Sequence, residues 1–202
     1  MRNAFSVFKK NITETKNLSV MHSYLKNQIT IPMSFEDLLR AQIVYSVSAF
    51  DKLIHDLVRI GIVQIFSGSR TVTPKYLSET ISIDIFNELI TATLPPKEII
   101  FEQAIVQKLK KNSYQMPDKV ADGLSYIWSE PNKWRKISEQ MRINEAAAKT
   151  QLKLISTRRN SIVHEADIDP STGLKYSIDE NECLIINNFI ENCATAIFHL
   201  VI

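Results

Sequence analysis

The chain has 202 residues, enough for one sizeable hydrophobic core, with 45% hydrophobic and 23% charged residues. A formal charge of +2 excludes a globally basic nucleic-acid binder, so any such binding must come from a local patch. Only 4 Gly and 7 Pro argue against a turn-rich all-β architecture.

Residues 3–27 read as a weakly amphipathic helix that ends before Ile31-Pro32. Charges at Lys9, Lys10, Glu14 and Lys16 leave no apolar run typical of a signal peptide. Ser34 then offers an N-cap, with Glu36 and Asp37 in the first turn. A long helix is expected from Phe35 to Phe66, stopping at Ser67-Gly68. Its apolar stripe is Leu39, Ile43, Val47, Phe50, Ile54, Val58, Ile62 and Ile65, in steps of three and four. Asp51, His55 and Arg59 follow one another at i,i+4 along the same helix. An Asp-His pair can orient an imidazole for catalysis, and it can equally be a plain surface ion pair.

Residues 69–80 read as a loop or short turn, and 82–93, 96–112 and 117–128 as short helices divided by Pro95-Pro96, Pro117 and Pro131. Lys108, Lys110, Lys111, Lys133, Arg135, Lys136 and Arg142 make this middle section locally basic, which a solvated face also explains. No recognition helix for DNA is visible there.

A second long helix is expected from Asn144 to Glu165. A loop follows over 167–173, then a short extended piece over 175–178. A last helix starts near Asp179, with a stripe of Ile185, Phe189, Ala196 and Leu200. Cys183 and Cys193 lie on it about 15 Å apart by helical rise, too far for a mutual disulfide, and no zinc-ligand spacing surrounds them. No stretch of 18 or more uninterrupted apolar residues suggests a membrane span. The expectation is a cytoplasmic all-α domain over 1–202, built on two long core helices, with 70–140 a candidate helical insertion.

The second long helix carries Arg158-Arg159-Asn160-Ser161-Ile162-Val163-His164. A guanidinium grips a phosphate through a fixed fork of donors, and an imidazole trades a proton near neutral pH. Together they are a minimal kit for cutting RNA without a metal. Arg159 stands in line with the apolar residues Leu152, Ile155 and Ile162, where a charge needs a partner or an open cleft. Asp51 is the carboxylate best placed to answer it if the two long helices pack together. His164 lies about 140° around the helix from Arg159, while Asn160 shares its face. Two plain readings stand beside the catalytic one: a structural Arg paired to a carboxylate, and a His capping a helix C-terminus.

Arg159-Asn160-x-x-x-His164, together with the helix bearing Val47 to His55, resembles the HEPN superfamily of α-helical bundles. The tail from His164-Glu165-Ala166-Asp167 through Gly173 to the closing helix is similar to its RiboL-PSP branch. The resemblance covers roughly 35–67 and 143–202. It implies a metal-independent endoribonuclease with no cofactor, acting as a homodimer whose two motif copies meet in one cleft. It also implies a toxin or phage-defence role beside a cognate antitoxin protein. RNA would be cut by 2′-OH attack, with Arg159, His164 and Asn160 catalytic and Arg158, Asp51 and His55 supporting or binding substrate. Two other readings stay open: an inactive HEPN-like RNA-binding or protein-interaction module, and a structural bundle that binds a partner protein.

Overall fold

The computed structural model describes residues 1–202 as nine helices and no strand. They are α1 (Arg2–Gln28), α2 (Glu36–Phe66), α3 (Pro74–Leu77), α4 (Ile83–Thr91), α5 (Lys97–Leu109), α6 (Pro117–Leu124), α7 (Lys133–Met141), α8 (Glu145–His164) and α9 (Glu180–Val201).

Helix α2 is the spine. Every residue of its apolar stripe is buried, and Leu39, Ile43, Val47, Phe50, Ile54 and Val58 have no exposed surface. Each such side chain contributes about 1.5–3 kcal/mol of burial, set against the entropy of ordering it. Phe35 occupies the N-cap position, and Ser34 Oγ accepts from the Glu36 N–H at 3.2 Å.

Helices α1, α9 and α8 pack around this spine, and α5 and α6 also pack on it. Helix α1 runs antiparallel to α2, since Thr15 meets Ser46 while Ser19 meets Gln42. Helix α9 runs parallel to it, since Cys183 meets the Leu39 carbonyl while Asn187 meets Ser46. Helix α8 packs on α2 and α7. Helix α9 is long and apolar enough to cross a membrane by length and composition. Here it is a core helix, with Cys183, Ile186, Phe189, Ile190, Cys193 and Ile197 all buried. Its phase differs from the expected stripe. Phe189 and Ala196 are buried, but Ile185 is half exposed, because apolar residues surround most of this helix and leave its inner face ambiguous.

The middle section is not uniform. Phe101, Ile105, Leu109, Val120, Leu124, Trp134 and Ile137 join the same core cluster as α2 and α9. Helix α4 has no buried residue and packs chiefly on α5. Between Leu77 and α4 the chain makes no regular element, and Pro74–Leu77 forms a single short turn of helix capped by Thr73.

Most of the basic residues of this section are already engaged. Lys108 pairs with Glu79, Arg135 and Lys136 pair with Glu139, and the buried Lys133 donates to the Glu130 carbonyl at 2.7 Å. This favours the solvated-face reading for them. Lys110 and Lys111, at the end of α5, are exposed.

Candidate active site

Helix α8 begins where the Asn144 side chain accepts from the Ala146 and Ala147 N–H groups. Ala148, Leu152 and Ile155 are buried against the spine, and Ile162 packs on the same core. The register that buries them carries Arg159 to the edge of the core, as its spacing predicts. Its Nε is buried without a hydrogen-bond partner, and its Nη1 donates to Asn160 Oδ1 at 3.1 Å.

His164 is the last residue of α8 and is exposed. Lys153, Thr157, Asn160 and His164 follow in steps of four, three and four, and all four are exposed. They form a polar face that nothing else in the chain covers. Arg159 and His164 therefore point to different sides of one helix.

The expected pair between Asp51 and Arg159 does not form. Asp51 Oδ1 accepts from the Tyr114 N–H at 2.5 Å, and Oδ2 accepts from Gln115 Nε2 at 3.3 Å. Asp51 instead pins the 110–115 loop to α2. The same loop is pinned to α8, because Ser156 Oγ donates to the Gln115 carbonyl at 2.6 Å. Both Asp51 and Arg159 still line one cleft of about 400 Å³, together with Ser48, His55, Arg59, Lys110 and Gln115.

His55 lies 3.9 Å from Asp51 Oδ1, too long for a hydrogen bond. Its Nε2 sits 3.2 Å from the Asn112 carbonyl. A carbonyl only accepts, so Nε2 carries the proton and donates. The ring rests on Tyr114, with centroids 4.5 Å apart. Arg59 pairs with Glu102 and Asp56, so it is largely neutralised.

Arg158 departs most from expectation. It belongs to a clamp around Asp167, a carboxylate with no exposed surface. Arg158 Nη1 and Arg40 Nε each lie 2.7 Å from it, on opposite oxygens. Arg40 Nη2 also donates to the Tyr176 carbonyl at 2.6 Å, and Arg158 Nη2 to the Ser177 carbonyl at 3.0 Å. Burial alone would lower the Arg40 pKa, but Asp167, Glu36 and Asp37 together outweigh it and the net shift is upward. Glu182 lies 3.6 Å from Arg158 Nε, and burial raises its carboxyl above the usual range against the pull of Arg158.

The clamp holds the segment immediately after His164. There Ala166 and Asp167 both adopt positive φ, 53° and 60°, and the Asp167 N–H returns to the Ser161 carbonyl at 3.0 Å. Sequence reasoning missed Arg40 and Asp167. Arg40 stands three residues before Ile43, within the apolar register of α2, so it carries the same signal as Arg159. Gln115 and Ser156 carried no such signal.

The two thiols belong to the core. Cys183 and Cys193 are free and fully buried, and burial pushes both thiols up to about 12, which leaves them poor nucleophiles.

The family model for RiboL-PSP-HEPN matches residues 9–201. The chain belongs to the RiboL-PSP-HEPN family. The match takes in the whole middle section, beyond the two stretches that carry the resemblance in sequence, and it agrees with the all-helical fold. No curated protein and no solved structure gives a significant match. Within this RiboL-PSP-HEPN fold, α2 and α8 are the two long helices that border the cleft.

Proposed function

We propose that this RiboL-PSP-HEPN protein is a metal-independent endoribonuclease that works as a homodimer. One observation carries the reading. Of two adjacent arginines on α8, Arg158 is consumed by the Asp167 clamp, whereas Arg159 reaches an open cleft with no carboxylate partner. The arginine left free is the one at motif spacing from His164.

In the reaction, His164 takes the proton of a ribose 2′-OH. The 2′ oxygen attacks the adjacent phosphorus, and the bond from phosphorus to the 5′ oxygen breaks. Arg159 stabilises the charge that grows on the non-bridging oxygens. The leaving 5′ oxygen receives a proton from water, and the protonated His164 gives its proton back to the hydroxide left behind. The products are a 2′,3′-cyclic phosphate and a 5′-OH, and DNA is spared because it lacks the nucleophile. Asn160, one helical turn before His164 on the same exposed face, positions the imidazole or the phosphate.

The homodimer is part of the same proposal, and the placement of the two residues on α8 supports it. One helix turns Arg159 and His164 about 140° apart, so the pair that reacts is formed between copies. We assign the activity to a toxin or phage-defence setting with a cognate antitoxin.

The test uses purified protein and mixed cellular RNA in EDTA, with chemical identification of the new ends. Wild type should cut and leave cyclic phosphate ends, and His164→Ala should lose roughly 10²- to 10⁴-fold in rate. Arg159→Lys should not rescue, because an ammonium cannot reproduce the guanidinium fork. Intact wild-type dimer that binds RNA and never cuts it would instead mark a non-catalytic RNA-binding module.

A further inference from the structure

We propose that the cleft between α2, the end of α5 and the 110–115 loop is a subsite for the RNA nucleotide next to the one that is cut, with Lys110 holding its phosphate. The inference rests on the ribonuclease reading above and adds a place and a residue for substrate binding.

The cleft borders Arg159 and measures about 400 Å³, within the size range of small-ligand sites. A strand gripped at Arg159 therefore has a neighbouring cavity to enter. Four fixed cations line it: Lys52, Arg59, Lys110 and Arg159. Two carboxylates, Asp51 and Asp56, oppose them. Asp56 is shared by Lys52 and Arg59, and Asp51 is spent on the 110–115 loop. Lys110 and Arg159 form no ion pair, and four positive charges against two negative leave the lining with an excess that suits an anion.

The rest of the lining suits a nucleotide better than a bare ion. The Gln115 amide donates to Asp51 and keeps its oxygen free. His55 is committed at Nε2 and keeps Nδ1 free to accept. Ser48 adds a hydroxyl, and Val106 and Leu109 add an apolar wall against which a base can lie. The loop is bonded to both long helices before any ligand arrives, so the cleft is preformed and binding costs little ordering.

Binding is measured with single-stranded RNA oligonucleotides in EDTA, on the His164→Ala background so that no substrate is consumed. Lys110→Ala should weaken binding several-fold. The slope of log affinity against log salt should shrink by roughly 0.7, the value for one fewer phosphate neutralised on a single strand. Lys110→Glu should weaken binding further. Lys136→Ala, on α7 and already paired with Glu139, serves as the control and should change neither quantity. Unchanged affinity and slope in both Lys110 variants would overturn the subsite, as would failure of the His164→Ala protein to bind RNA at all. Cleavage is scored separately with His164 intact, where Lys110→Ala should raise KM and leave kcat near wild type. Binding through Lys110 without any cleavage would sink the nuclease reading and leave the subsite standing. Cleavage with a KM indifferent to Lys110 would do the reverse.

Discussion

Asp167 has no exposed surface, yet two guanidiniums from distant parts of the chain divide its carboxylate between them. Arg40 is itself almost fully buried. Deleting the carboxylate would leave Arg40 only the more exposed Glu36 and Asp37, and Arg158 only Glu182 at 3.6 Å. Asp167→Ala should therefore cost roughly 3–5 kcal/mol, the usual penalty for breaking a buried pair from one side. Urea unfolding of wild type and variant measures it, and a loss below about 1 kcal/mol would mean the clamp is already solvated. The clamp was only half legible in sequence. A charged residue in an apolar register signals a buried partner, and that signal was present at Arg40 as at Arg159. The partner was hidden because Asp167 sits in a turn-forming stretch where an aspartate ordinarily serves the local backbone.

Among the elements, the 110–115 loop links the middle section to the site. Asp51 holds it through the Tyr114 N–H, and Tyr114 packs its ring beside Gly123 of α6. A Cβ at Gly123 would come within 2.5 Å of that ring. Tyr114 is only 2% exposed and has nowhere to retreat. Gly123→Ala should cost about 1–3 kcal/mol from overpacking, offset in part by better helix propensity. It should also shift the loop and weaken RNA binding in the cleft. Thermal unfolding and RNA affinity measured together check this, and a variant as stable as wild type with unchanged affinity would show that α6 does not support the loop. Sequence periodicity located α2 most sharply because its apolar spacing persists over many turns. The weak amphipathicity of α1 and the apolar surround of α9 gave their extent but not their inner face. It placed Asp51 on α2 facing α8, and Asp51 and Arg159 do line one cleft. It could not reveal that a loop N–H, and not Arg159, would claim the carboxylate, because backbone partners leave no trace in residue identity.

At the scale of the whole molecule, the all-helical fold and the family follow from features readable in the chain, and one core gathers α1, α2 and α5–α9. Within one chain no hydrogen bond joins Arg159 to His164, and the Arg159 side chain donates to Asn160 instead. Arg159 looks into the cleft beside α2, and His164 stands on the uncovered face of α8. The proposed chemistry therefore needs two copies, with the arginine of one serving the histidine of the other. That claim is tested most directly by mixing two inactive variants, Arg159→Ala and His164→Ala, under conditions of subunit exchange and assaying RNA cleavage in EDTA. Each variant alone should be inactive, and the mixture should recover cleavage that leaves cyclic phosphate ends. A mixture as inactive as its parts, with mixed dimers formed and wild type cutting normally, would contradict a catalytic pair shared between subunits.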